Sequence, residues 1–205
     1  MKKIGFIFIA LLLGSVAWLN AEEKTPEQIV EETATEVLRV VNEEAQRIKN
    51  EPGYVNELID EMILPIIDLQ SMRKLILGKH WKTASEGQRA KFIEEFKSML
   101  IRTYAKSIAD YGHAKVSVKA PKNKKQGKYY TVNTELDLGS GVPLNVAYVF
   151  RRSSDTWKVF DLSVDGLSLI KNFRTSFSQE ISETSLDALI ERLANTNAEK
   201  ASPVT

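Results

Sequence analysis

Residues 92–118 read FIEEFKSMLIRTYAKSIADYGHAKVSV, and within this stretch the spacing of the apolar side chains changes from helical to extended. From 92 to 108 the apolar side chains recur three or four residues apart, which predicts one long helix. Gly112 ends that pattern, and Val116 and Val118 then alternate with polar residues, as in a strand with one covered face. The predicted helical side carries Phe92, Phe96, Met99, Leu100, Thr103, Tyr104 and Ile108.

The chain upstream of this stretch is also predicted to be helical. Thr25 and Pro26 form a suitable N-cap and first-turn pair, and Ser85 with Gln88 matches a capping box in front of the long helix. Proline and glycine separate the predicted helices because they interrupt or end helical structure. These helices span 26 to about 49, 55–62 and about 66–77, with breaks at Glu51–Gly53, Pro65 and Gly78.

Downstream, four segments alternate apolar and polar residues and are joined by short segments rich in turn residues. This pattern predicts an antiparallel, strongly curved four-stranded sheet with one covered face. The alternating residues are Val116 and Val118; Tyr130, Val132, Thr134 and Leu136; Leu144, Val146 and Tyr148; and Phe160, Leu162 and Val164. Helical spacing returns from Ser168 to Ile181 and from Leu186 to Leu193, so the predicted class is α+β, with helices packed on the sheet.

The N-terminus has the pattern of a secretory signal peptide. Lys2 and Lys3 precede an apolar run over 4–16, and a cut after Ala21 would release the mature chain. A cut after Ala17 and an uncleaved anchor are the alternatives. The predicted organisation is a signal peptide over 1–21, one domain over 22–194 and a disordered tail over 195–205, in a soluble protein of a bacterial periplasm.

Composition excludes several kinds of chemistry. The 205 residues include no cysteine, which rules out disulfides, thiol nucleophiles, cysteine-ligated zinc and iron–sulfur clusters. The 28 Lys and Arg residues are balanced by 27 Asp and Glu residues, so no net field favours nucleic acid. His80 and His113 lack partners at metal-ligand or catalytic-triad spacing and are interpreted as surface or capping residues.

Residues 161–170 contain two weak imitations of functional motifs. Asp161 to Gly166 resembles the start of a calcium loop, but Asn172 stands where a bidentate glutamate is needed. Ser168 lacks the second glycine of a nucleophile elbow and is predicted to cap a helix instead. Asp161 and Asp165 are predicted to be solvated carboxylates on the uncovered side of a strand.

Two further patterns leave alternatives open. The lysines at 122, 124, 125 and 128 could contact an anionic lipid or an acidic protein, or could form a solvated hairpin tip. The aromatic and methionine side chains of the helices and sheet could form a filled core, or could line a cavity under the curved sheet.

Several segments together resemble the toluene-tolerance family, the MlaC-type periplasmic phospholipid-binding proteins of Gram-negative bacteria. The resemblance extends over about 25–193. The matching residues are Ile63–Pro65, Leu77–Trp81, Gln88, Phe92, Phe96, Leu100, Arg102, Tyr104, Trp157–Asp161, Gly166–Ile170, Phe173 and Arg174.

This resemblance implies a fold similar to nuclear transport factor 2, with a deep apolar cavity that holds phospholipid acyl chains. It implies a shuttle between an outer-membrane lipoprotein–porin complex and an inner-membrane ABC transporter with an MCE-domain ring, without catalytic residues or cofactor. The implied role is maintenance of outer-membrane lipid asymmetry. The predicted lipid-binding residues are Ile66, Leu69, Phe96, Met99, Leu100, Tyr104, Val116, Val132, Leu136, Leu144, Val146, Tyr148, Phe160, Leu162, Val164, Leu169, Phe173 and Phe177.

Further expectations concern the cavity mouth and its opening. Arg102 and Arg174 are candidate mouth residues, and the break at Ile63–Pro65 and the junction at Gly166 are candidate hinges. Two other functions remain open: a periplasmic chaperone or adaptor that binds apolar protein segments, and an enzyme with a cone-shaped α+β pocket.

Overall fold

A computed structural model of the chain describes residues 23–51, 53–110, 112–120, 128–139, 141–153 and 156–199. The predicted signal peptide, the lysines at 122, 124 and 125, and the last residues of the predicted tail lie outside these ranges. Among the described helices, none combines the length and the apolar character that crossing a bilayer requires.

The first predicted helix is divided into α1, Pro26–Glu43, and α2, Ala45–Asn50. Helix α1 begins with a capping box, in which the Thr25 hydroxyl accepts the Gln28 amide and the Gln28 side chain accepts the Thr25 amide. The inner face of α1 buries Val30 and Val41. The predicted cap is confirmed, whereas the break between the two helices has no glycine or proline to signal it.

Helix α3, Tyr54–Leu58, continues into a π-helical turn, Ile59–Ile63, and then a 3₁₀ turn, Leu64–Ile66. Pro65, inside the 3₁₀ turn, has no amide proton to donate to a regular helix. The break predicted around Ile63–Pro65 is therefore confirmed, and it takes the form of two changes in helix type.

The helix expected from about Ile66 begins later, as α4, Leu69–Leu77. The reason is Asp68, which acts as N-cap and whose carboxylate accepts the Ser71 amide at 2.9 Å. Gly78 ends α4 at a φ of 53°, which confirms the predicted glycine cap. Two helices follow, α5, Lys79–Thr83, and the long α6, Glu86–Asp110.

The sheet has five antiparallel strands arranged in sequence order, rather than the four predicted. The additional strand, β5, has two residues and pairs with the end of β4. A strand of this length has no alternating pattern that sequence analysis could detect. The strands are β1, Lys115–Val118; β2, Tyr129–Asp137; β3, Leu144–Ser153; β4, Thr156–Val164; and β5, Leu167–Ser168.

A β-bulge in β4 changes which of its residues face inward. Val149 of β3 pairs with Asp161, whereas the next residue, Phe150, pairs with Val159. Phe160 is therefore an extra residue. Its ring packs against Tyr129, at 5.4 Å between centroids, while Val159 is buried with Phe150 on the other face.

Two more helices follow within the described residues, α7, Leu169–Glu183, and α8, Leu186–Glu199. Ser168 caps α7, because its hydroxyl accepts the Lys171 amide at 3.1 Å, and this confirms its predicted role. The tail predicted from Asn195 is wrong for 195–199. These residues are helical, and the buried Asn197 amide donates to the Glu95 carbonyl at 3.0 Å.

Two separate clusters of buried side chains hold these elements together. The helical core joins α4, α6, α7 and α8 around Phe92, Phe96, Phe177, Leu189 and Leu193. The sheet core packs α1 on the sheet through Val30, Val132, Phe150, Trp157 and Val159. These two names are used below.

Candidate functional site

An apolar cavity of about 410 Å³ borders both cores. Met72 of the helical core lines it, and so do Val30 and Val159 of the sheet core. The volume lies within the usual range of small-molecule sites, roughly 300–1,000 Å³. Its walls come from α1, the π and 3₁₀ turns, the start of α4, the second half of α6, and the inner face of the sheet.

Helix α6 reaches the cavity because its apolar residues wind around the helix axis. Phe92, Phe96, Leu100, Tyr104 and Ile108 are spaced by four residues, and each such step advances about 40° around a helix of 3.6 residues per turn. The first two are therefore buried in the helical core, and the last three line the cavity.

The sheet contributes inward-facing residues from adjacent strands. Val116 of β1 is paired with Leu136 of β2, and Tyr148 of β3 is paired with Leu162 of β4; all four line the cavity. The bulge adds Val159, which regular alternation with Leu162 would have turned outward.

Two tyrosine hydroxyls are among the polar groups of the lining. Burial raises the pKa of Tyr104, and burial also raises the pKa of Tyr148, against the opposing effect of its hydrogen bond with Thr134. Both hydroxyls are therefore neutral at ordinary pH. Among the described lining residues there is no carboxylate or imidazole that could pair with them as an acid or base.

Half of the predicted lipid-binding residues line this cavity. Their contact with a lipid remains a prediction, but the fold brings them together from eight different elements. They are Ile66, Leu69, Leu100, Tyr104, Val116, Leu136, Tyr148, Leu162 and Leu169.

The other predicted residues lie outside the lining, and the structure corrects their placement. Five pack in or against the helical core, where the Phe96 and Phe173 rings lie 5.3 Å apart between centroids. Val132 is buried in the sheet core, and the bulge places Phe160 on the face opposite to Val159, where it packs against the helical core. The residues in or against the helical core are Phe96, Met99, Phe160, Phe173 and Phe177. Besides Val132, the remaining residues are Leu144, Val146 and Val164 on β3 and β4.

The cation in the lining is a residue that sequence reasoning missed. Neither Arg102 nor Arg174 lines the cavity, and the Arg174 guanidinium lies against Gly78, where an added Cβ would be 3.2 Å from Nε. Lys97 does line it. Its spacing from Ile101 and Tyr104, four and seven residues, was the available signal.

The two aspartates of β4 and the turn after it are structural. Asp161 was predicted to be solvated, but its carboxylate accepts the Ile170 amide and the Ser168 hydroxyl, which fixes the start of α7 to the strand. Asp165 has a positive φ of 47° and accepts the Asn145 amide at 3.1 Å. Both carboxylates thus serve the chain's own backbone.

The histidines also contact the surrounding chain. The His113 ring is 3.2 Å from the Leu138 carbonyl. Burial, together with the charge of Lys79, lowers the pKa of His80, whose Nε2 atom has no hydrogen-bond partner among the described residues. The interpretation as surface or capping residues agrees with the exposed His113, whereas His80 is partly buried.

The sequence of this chain matches a known protein family. The family model described as MlaC protein matches residues 31–195. The intermembrane phospholipid transport system binding protein MlaC of Haemophilus influenzae is 22% identical over 191 residues, which cover 92% of this chain and 88% of that protein. The toluene tolerance protein ttg2D of Pseudomonas putida is 24% identical over 180 residues, covering 87% of this chain and 83% of that protein.

A solved structure is similar in fold. The phospholipid-binding protein from Ralstonia solanacearum, determined in complex with a phospholipid, superposes with a TM-score of 0.78 at 26% sequence identity. The match covers 85% of this chain and 97% of that one.

Proposed function

The chain belongs to the MlaC family, and from that premise we propose that it is a periplasmic phospholipid carrier whose cavity holds acyl chains. The observation that carries the proposal is the cavity of about 410 Å³, whose lining is almost entirely aliphatic and aromatic. The similar fold of a Ralstonia protein solved with phospholipid supports it.

The energetics of burial suit a carrier. Each methylene that leaves water contributes about 0.8 kcal/mol, so two acyl chains with roughly 28 methylenes represent on the order of 20 kcal/mol of gross transfer free energy. Release into water would therefore be too slow to be useful. Release into another apolar groove recovers nearly all of that free energy, so transfer requires direct docking.

Docking is proposed with two complexes, an outer-membrane lipoprotein–porin complex and an inner-membrane ABC transporter with an MCE-domain ring. The role of this exchange would be maintenance of outer-membrane lipid asymmetry. The pattern of residues 1–21 supports export to the periplasm with cleavage after Ala21.

Loading requires the cavity to open, and we place the movement at two irregular segments. One is the π and 3₁₀ region, Ile59–Ile66, which forms part of the wall. The other is the turn at Gly166, where φ is 84° and β4 leads towards α7. Transfer rates that stayed equal after both segments had been rigidified would contradict this placement.

Native mass spectrometry tests the carrier function directly. Protein purified from the periplasm without detergent should carry a stoichiometric mass excess that extracts as phospholipid. Bare protein that also took no lipid from labelled vesicles would refute the proposal. Capture of apolar peptides by such protein would instead favour the chaperone alternative.

A further inference from the structure

Lys97 is the charged residue among the described residues that line the cavity. It lies on α6 one turn before Ile101, and its side chain is 34% exposed. A lysine in this position places its methylenes along an apolar wall while its ammonium group reaches water. The ammonium group is therefore at the edge of the cavity.

The partner of Lys97 belongs to a different element of the cavity wall. Its ammonium group donates to Asp60, with 2.9 Å between Nζ and Oδ2, and the Asp60 side chain is 47% exposed. Asp60 belongs to the π-helical turn, whose Ile59 and Ile63 line the cavity. The ion pair thus connects two walls of the cavity at a place that water reaches.

We propose that Lys97 binds the phosphate of a glycerophospholipid and that the phosphate exchanges with the Asp60 carboxylate for the ammonium group. This inference rests on the proposed function and specifies which part of the lipid is recognised. A phosphodiester carries one negative charge, as a carboxylate does, so it can replace Asp60 without leaving the cation unpaired. The acyl chains would then extend from Lys97 towards Leu100 and Tyr104.

The recognition site that results is selective for a chemical class and not for one head group. Every glycerophospholipid has this phosphate, whereas diacylglycerol has the same acyl chains without it. The half-exposed position limits the strength of the contact, because water and salt screen it. We expect about a fivefold to tenfold preference to depend on Lys97, which is the usual size of one charge-assisted contact at such a site.

The test compares two ligands with identical fluorescent acyl chains, phosphatidylglycerol and diacylglycerol. Dissociation constants are measured for wild-type protein, K97Q, D60N and the control K106Q. Lys106 is on the same helix, pairs with Asp110 at 2.5 Å and does not line the cavity. Circular dichroism melts establish that each variant is folded.

In K97Q we expect phosphatidylglycerol binding to weaken about fivefold to tenfold while diacylglycerol binding changes less than about twofold. D60N should strengthen phosphatidylglycerol binding only, because the competing carboxylate is gone. K106Q should match the wild type. Inorganic phosphate added with diacylglycerol shows whether a free anion suffices, and an unchanged affinity would support recognition of the lipid's own phosphate.

Three results would overturn the inference. K97Q could weaken both ligands equally, which would indicate a structural role, or it could weaken neither. Inorganic phosphate could strengthen diacylglycerol binding in wild-type protein but not in K97Q, which would make Lys97 a free-anion site. In each of these cases the wild-type protein still binds both ligands, whereas wild-type protein that bound neither ligand would refute the carrier function itself.

Discussion

The helical core and the cavity are built from the same kinds of residue, yet only the helical core is filled by the protein's own side chains. In the helical core the Phe92 and Phe96 rings stack at 5.6 Å, and Phe177 meets Phe92 edge-on at 6.0 Å. Further along the same helix, Leu100 and Tyr104 face the cavity. One helix therefore both stabilises the fold and provides part of the cavity wall.

The difference shows how this fold can remain stable around a cavity. An unfilled apolar space costs stability because its walls lose dispersion contacts. Here the cost falls on the second half of α6, while the first half is held by fully buried rings. Packing and binding are thereby assigned to different turns of one element.

Truncation of one side chain in each region tests this division most strongly. Phe92→Ala should lower the free energy of unfolding by about 3–5 kcal/mol, because the ring is completely buried. Leu100→Ala should cost less than about 2 kcal/mol in lipid-free protein, because one side of Leu100 already borders open space. Urea denaturation measures both, and equal losses would contradict the division.

Enlargement of an alanine in each region should have opposite effects. Ala84→Phe should destabilise the protein by about 1–3 kcal/mol, because Ala84 is buried in the helical core. Ala34→Phe should leave stability nearly unchanged, since its ring enters the cavity. It should weaken lipid binding about tenfold, because the added ring would exclude roughly two methylenes of an acyl chain from the cavity. Thermal melts and vesicle extraction measure the pair, and unimpaired lipid binding by Ala34→Phe would refute the assignment.

The start of α4 is held against the sheet by an ion pair. Asp68, whose side chain is 7% exposed, forms an ion pair with Arg151 of β3, with 3.1 Å between Oδ2 and Nη2, and its amide donates to the Val159 carbonyl. Arg151→Gln should cost about 1–2 kcal/mol, less than a fully buried pair, because Arg151 is 37% exposed and Ser71 still binds Asp68.

Lipid affinity should be unchanged in that variant, and Arg151→Lys should recover part of the stability. Chemical denaturation combined with lipid titration provides both measurements. A large loss of lipid binding with little loss of stability would mean that the pair belongs to the binding site instead.

The smallest expected effect concerns the attachment of α1 to the sheet. The hydrogen bond that Tyr130 donates to Glu27 raises the pKa of Tyr130 to about 12. The folded state therefore holds this proton more tightly than the unfolded state. The contribution of the bond to stability is complete below about pH 10 and is lost as the pH rises towards 12.

Tyr130→Phe should remove that part of the alkaline decline while leaving stability at lower pH only slightly reduced. Unfolding free energies between about pH 9 and 12 provide the comparison. Identical pH profiles for the two proteins would show that the bond does not contribute.

The sequence predicted the positions of the helices and strands better than it predicted which side of each element borders the cavity. Period and caps located the helices and four strands, because apolar spacing and capping residues act locally. Residues four apart on α6 are rotated by about 40° around the helix axis, so the two ends of one apolar stripe face different neighbours. Phe96 and Phe177 were therefore predicted to line the cavity, although they are buried in the helical core.

The sheet shows a second limit of sequence reasoning. Alternation predicted that Phe160, Leu162 and Val164 share one face of the sheet. The bulge instead turns Phe160 away from the cavity and Val159 towards it. The bulge arises from pairing with β3, so no residue in β4 by itself signals it. Lys97 was not predicted because a lysine is ordinarily assigned to the solvent side of a helix, although its spacing from Ile101 and Tyr104 places it beside the cavity.

The edges of the sheet have a consequence for the behaviour of the protein in a crowded compartment. The strands at its two edges, β1 and β5, have only four and two residues. Long, exposed edge strands are templates on which other chains add strands and aggregate, and short ones offer little to pair with. The brevity of the two outermost strands therefore leaves another chain little edge on which to add a strand, which limits self-association.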